Sequence, residues 1–300
     1  MFPSEQSNSA RMSSLSFFPS LRDITLTPST QTFYQPTSES ADMPSLIWSV
    51  INKFWENSDA LIAHQNKLYI FRNKDLFEVD KGTTRRVLSG CGKIIAATKF
   101  KDDVYISTQI GEIWCINLLT FELRCIIKNL NNVRALVTFE NGIFAFGDKL
   151  WRIDTINGKC ESLDSSDWRS TVSAAVLGDS VYVVTRHGDL WRIDLRDYTK
   201  IIIKRGGQDP DLILAYQDNL YLFSKGLYKV NVDGSCEKIE DNLSGILTGV
   251  SSSDAMYIIF NSGELFRIIE VTGEGYSDEL FLEEDFDIDI INFTHGHFSV

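Results

Sequence analysis

Catalysis needs nucleophilic, acid–base or metal-ligating side chains gathered in one place, so the scarce ones come first. The chain of 300 residues holds four histidines, His64, His187, His295 and His297, and five cysteines, Cys91, Cys115, Cys125, Cys160 and Cys236. His295 and His297 flank a glycine in what reads as a turn, with no third histidine or cysteine spaced to complete a metal site. The cysteines are odd in number and include no C-x-x-C pair, the pattern of reduced, mostly buried thiols in an intracellular protein. No G-x-S-x-G elbow, phosphate loop or G-x-G-x-x-G turn occurs. The acid-rich "DELFLEEDFDIDI" (278–290) alternates partly with apolar residues and lacks the oxygen-rich, glycine-bearing loop of a calcium site, so it reads as a solvated or partner-facing edge. The expectation is a chain that is not an enzyme and carries no metal or cofactor.

Recognition is the chemistry that remains. Trp168 and Arg169 lie together in the polar connector "SSDWRST", and Arg186, His187 and Lys225 lie in other short polar stretches. An exposed Trp beside Arg is typical hot-spot material. Together these five residues suit an acidic peptide, or a sugar stacking on the indole. The formal charge of −12 and pI near 4.8 argue against a general nucleic-acid binder and an anionic membrane surface. No apolar run is long enough to span a bilayer, and the first residues lack a signal-peptide core, so the expected location is cytoplasmic, with nuclear or cytoskeletal association left open.

Residues 1–44 are rich in Ser, Thr and Pro and show no periodicity, so they read as a disordered tail ahead of a folded domain at 45–300. Within the tail, "LSFFPSLRDITL" gathers Phe17 and Phe18 with other apolar residues, a candidate partner-docking segment. Thr27, followed by Pro28, is a candidate phosphorylation site beside it.

The elements that must position these residues are announced by a repeat. "GEIWCIN" (111–117), "KLWRID" (149–154) and "GDLWRID" (188–194) are three forms of one phrase, with weaker copies "KDLFEVD" (74–80), "KGLYKVN" (225–231) and "GELFRII" (263–269). A second column upstream aligns Tyr69, Tyr105, Phe144, Tyr182, Tyr221 and Tyr257 in short β-branched and aromatic runs, with turn residues before and glycines after. Each unit of just under forty residues reads as four antiparallel strands, the blade of a β-propeller. The recurring aromatic of the third strand is expected to wedge against the adjacent blade. These units resemble tectonin-like and quinoprotein-like propeller repeats and, more loosely, WD40 blades. That resemblance implies an all-β propeller, and for tectonin-type proteins either lectin or adaptor roles. Six units run from about 58 to 287. The terminal "IDIINFTHGHFSV" and "SLIWSV" near the start suggest a seventh blade split between the termini, with Trp48 on its third strand; six blades is the alternative. The loops joining second to third strands, and those joining successive blades, leave a propeller on one side, so Trp168, Arg169, Arg186, His187 and Lys225 share a face. The functional expectation is a scaffold or adaptor within a multi-subunit protein complex, with a tectonin-like lectin as the alternative.

Overall fold

The computed structural model describes residues 45–207, 209–231, 233–271 and 289–291; Phe17, Phe18, Thr27, His295 and His297 lie outside them, as does most of the acid-rich stretch. The chain divides into residues 1–41 and 42–300, and the description concerns the second unit.

The chain enters on β1 (Ser45–Asn52) and then builds one blade after another. Blade one is β2 (Ser58–His64), β3 (Lys67–Arg72), β4 (Asp75–Asp80) and β5 (Thr83–Leu88); blade two is β6 (Ile94–Phe100), β7 (Asp103–Thr108), β8 (Ile113–Asn117) and β9 (Leu123–Ile127). Blade three is β10 (Ala135–Phe139), β11 (Gly142–Phe146), β12 (Leu150–Asp154) and β13 (Cys160–Asp164). Blade four is β14 (Thr171–Leu177), β15 (Ser180–Thr185), β16 (Leu190–Asp194) and β17 (Lys200–Lys204). Blade five is β18 (Leu212–Tyr216), β19 (Asn219–Phe223), β20 (Gly226–Val230) and β21 (Cys236–Asp241). The chain supplies three strands of blade six in succession, β22 (Ile246–Ser251), β23 (Met256–Phe260) and β24 (Leu265–Val271), and later β25 (Asp289–Ile291). Every pairing among the described strands is antiparallel, and blades one to five run from innermost to outermost in the order the sequence predicts.

The seven-blade preference is corrected by the way the ring closes. β1 pairs with β24 as the fourth strand of blade six, and β25 adds to the outside of β1. The innermost strands β22 and β2 lie directly side by side, so no blade fits between six and one. Trp48 therefore sits on an outer strand of blade six, edge-on to Phe266 at 6.0 Å, and not on the third strand of a seventh blade. Sharing one blade between distant parts of the chain removes the free seam that an open ring would leave.

The core is divided into six apolar clusters, each filling the space between two neighbouring blades. Tyr105, Ile113 and Cys115 of blade two meet Leu136, Ile143 and Ile153 of blade three, for example, and Phe144 and Phe146 of blade three meet Val181, Val183 and Ile193 of blade four. The repeated phrase is explained by this geometry. Side chains alternate between the two faces of a strand, so Ile116 of "WCIN" and Ile153 and Ile193 of the "WRID" copies all reach the blade before their own. The aromatics Trp114, Trp151 and Trp191 pack on the same clusters nearer the rim, where they are half-buried. The closing Asp or Asn of the phrase accepts backbone N–H groups of the next turn: Asp154 from Ile156 and Asn157, Asp194 from Arg196, Asn117 from Leu119 and Thr120.

Candidate functional site

The loops between second and third strands and the connectors between blades emerge on one face, here called the connector face. Arg169, Arg186, His187 and Lys225 all lie in such loops and all are exposed. Arg169 is held by its neighbour Asp167, whose carboxylate accepts from the guanidinium at 2.9 and 3.0 Å and from the Arg169 backbone at 3.0 Å. Those bonds drop the Asp167 carboxyl to about 2. The loops of Arg186 and Arg169 are tied together, the Arg186 N–H donating to the Ser170 carbonyl at 2.8 Å. Arg186 and Lys225 have no ion pair among the described residues.

Trp168 does not stand among them as an exposed indole. It is only 3 % exposed and packs edge-on against Phe146 and Trp191, both at 5.5 Å, in the interface between blades three and four. Its backbone N–H donates to the Gly147 carbonyl, and Thr171 donates back to its own carbonyl, so the connector folds the ring inward. The indole N–H reaches Asp164 Oδ1 at 3.4 Å, and Lys200 bonds the same carboxylate at 2.8 Å. Burial pushes the Asp164 carboxyl up, but the Lys200 and backbone donors outweigh it and hold it low. An indole enclosed in this way offers no face for a sugar to stack on.

Among the described residues, the aromatic that does face solvent is Phe54, 74 % exposed, in the connector from β1 to β2. Phe54 has a φ of 84°, a region costly for a residue with a Cβ. That turn sends Trp55 inward, buried against Phe77 at 5.7 Å, and leaves Phe54 pointing out. The loop around it is fastened at several points. Trp55 N–H donates to the Gly263 carbonyl at 2.9 Å, Ser58 Oγ donates to the Trp55 carbonyl at 2.7 Å, Arg72 donates to the Glu56 carbonyl at 2.9 Å, and Lys53 pairs with Glu264 at 3.5 Å. Ile110, in the hairpin between β7 and β8, is a second apolar tip on this face, 73 % exposed. Both were missed in the sequence. "NKFWEN" reads as an outer strand, and the only signal against that reading is two adjacent aromatics that cannot share one buried face.

The connector face also holds the mouth of the central channel. The first residues of the innermost strands line it, with Asp59, Ile95, Arg134, Val172, Asp211 and Leu247 at the connector end of each blade. In blades one, two, four and six this residue falls where the register between the first two strands slips, a bulge that re-aims a side chain. Arg134 and Asp211 just precede their strands, each N–H bonding the second strand, to Phe146 and Phe223. Gly249 lets blades five and six approach closely at the channel wall, because a Cβ there would sit 2.5 Å from Leu212 Cδ2 and 3.0 Å from the Tyr257 carbonyl oxygen. Among the described residues, no group of three or more His, Cys, Asp or Glu is arranged to hold a metal ion, and no helix is long and apolar enough to cross a membrane.

No protein-family profile and no curated protein matches the chain. Solved structures do. Virginiamycin B lyase from Staphylococcus aureus is 9% identical, with 76% of this chain and 100% of that chain covered and a TM-score of 0.58. An auxiliary nutrient binding protein from Bacteroides thetaiotaomicron is 11% identical, covering 76% and 77%, with a TM-score of 0.62. The calcium-binding protein regucalcin from Agrobacterium tumefaciens is 12% identical, covering 75% and 94%, with a TM-score of 0.59. At such identities the likeness shows the fold, and the chain is a β-propeller. It also overturns the expectation that the chain is not an enzyme: the same architecture, over the same span, carries a lyase, so the absence of a catalytic motif gives no ground for excluding catalysis.

Proposed function

We propose that this propeller is a protein-interaction scaffold whose connector face docks an acidic segment of a partner through an apolar anchor. The observation that carries this reading is Phe54: a large ring held out to solvent at positive φ by a loop bonded to its neighbours at four points. Burying such a ring against a partner contributes roughly 2–3 kcal/mol, and a loop already fixed loses little entropy on binding. Arg186 and Lys225, exposed and without ion pairs among the described residues, supply complementary charge for an acidic partner, and Arg169 and His187 lie on the same face. The tail segment with Phe17 and Phe18 is a second contact in this reading, and phosphorylation at Thr27 would alter its charge. The proposed setting is the cytoplasm, within a multi-subunit complex. A glycan ligand loses its main support with the burial of Trp168.

Selection from a displayed random-peptide library tests the proposal. Enriched peptides should share an aromatic or aliphatic anchor flanked by Asp and Glu, and Phe54→Ala should weaken them by at least about tenfold, about 1.4 kcal/mol. Peptides without acidic residues, or peptides indifferent to Phe54→Ala and to Arg186→Glu, would refute it.

A further inference from the structure

The ring at the channel mouth alternates in character from blade to blade: Asp59, Ile95, Arg134, Val172, Asp211, Leu247. Charged residues stand on blades one, three and five, aliphatic ones on two, four and six. Two carboxylates therefore flank one blade while a guanidinium belongs to the blade opposite. None of the three charges has an ion pair among the described residues. Burial raises the pKa of Asp59 against the pull of Lys93 and of the Ile94 backbone N–H. Asp211 is raised by burial and by neighbouring Asp209. The cavity they open into is about 160 Å³, near the size of an engineered cavity that takes up benzene.

Carboxylates and a guanidinium left unpaired around one small cavity call for a ligand that answers both. An ammonium ion has three donors and no acceptor, which suits two carboxylates, and the planar guanidinium suits a carboxylate. A simple cation would leave Arg134 unanswered, and a simple anion would leave both aspartates. Ile95 lines the mouth between them, and Val172 and Leu247, which also pack on the clusters between blades, leave a partly apolar wall for a short substituent. We infer that the channel mouth binds a small zwitterion of the free amino-acid class, its ammonium between Asp59 and Asp211, its carboxylate on Arg134 and a short apolar side chain against the aliphatic positions.

Isothermal titration calorimetry on the full chain tests this, using a panel of free L-amino acids with ethylammonium and propionate as single-charge probes. At least one small apolar amino acid should bind, with both single-charge probes weaker by about tenfold or more. Arg134→Gln and Asp211→Asn should each weaken binding by a similar factor. Arg134 is exposed, so its replacement should leave the thermal melt unchanged, and Arg134→Lys should recover part of the affinity. Binding should also fade on acidification as the raised carboxyls take up protons. No binding by any amino acid, equal binding by a single-charge probe, or undiminished affinity in Arg134→Gln would overturn the inference. Because the readout is a small molecule and not a peptide, its failure leaves the docking proposal separately testable.

Discussion

His64 ends the innermost strand of blade one, buried, with Asp102 Oδ1 3.3 Å from Nε2 and Lys99 Nζ 3.5 Å from Nδ1. Burial and the Lys99 charge lower its pKa below 6.5, outweighing the opposite pull of Asp102. The unfolded chain therefore takes up a proton here at a higher pH than the folded one. Stability should be intact above about pH 6.5 and fall as the pH drops from there toward the lower folded value. Urea unfolding at about pH 7.5 and about pH 5.5 should show this loss, and His64→Gln should reduce it; an unchanged difference would show that another group titrates. Trp168 gives a second prediction at this scale. As an inter-blade wedge, its replacement by Ala should cost about 3–5 kcal/mol in chemical denaturation, whereas a ring serving only a ligand would leave stability unmoved. Individual side chains were the least legible part of the sequence. Trp168 reads as exposed from its polar neighbours Ser165, Ser166, Asp167, Arg169 and Ser170, but the carbonyl that accepts its backbone N–H and helps turn it inward is that of Gly147, which is distant in sequence.

Strands were far easier to read, because apolar alternation and turn residues act locally. The repeated aromatic and glycine positions place the second and third strands of every blade, and their spacing gives the unit length. Closure was harder. A short strand carries no mark of which sheet it joins, so Trp48 fitted a seventh blade as well as the sixth, and the decision rests on the long-range pairing of β1 with β24. That pairing makes β1 the latch of the ring. Ile47 and Val50 are buried within it, and proline at Ile47 would also remove a ladder donor. Ile47→Pro should therefore destabilise the whole domain by about 3 kcal/mol or more, read as a lower urea midpoint. A midpoint unaffected by Ile47→Pro would mean that β1 only decorates the edge.

At the scale of the whole molecule, an acidic chain presents Arg169, Arg186 and Lys225 together with Phe54 and Ile110 on one side of the ring. The hairpin side instead exposes Leu119 and Ile156 beside Glu122, Glu140 and Asp197. The topology that puts a shared face under distant loops was legible from the repeat; the exposed Phe54 at the seam of blades six and one was not, because its position depends on one backbone torsion. The docking account is tested most directly by quantitative affinity purification from native cells. Full-length wild type would be compared with Phe54→Ala, with Arg186→Glu combined with Lys225→Glu, and with Ile156→Ala on the opposite side. The same specific partners should be lost from both connector-face variants and kept by Ile156→Ala. Partners retained by both connector-face variants, or lost only from Ile156→Ala, would contradict it.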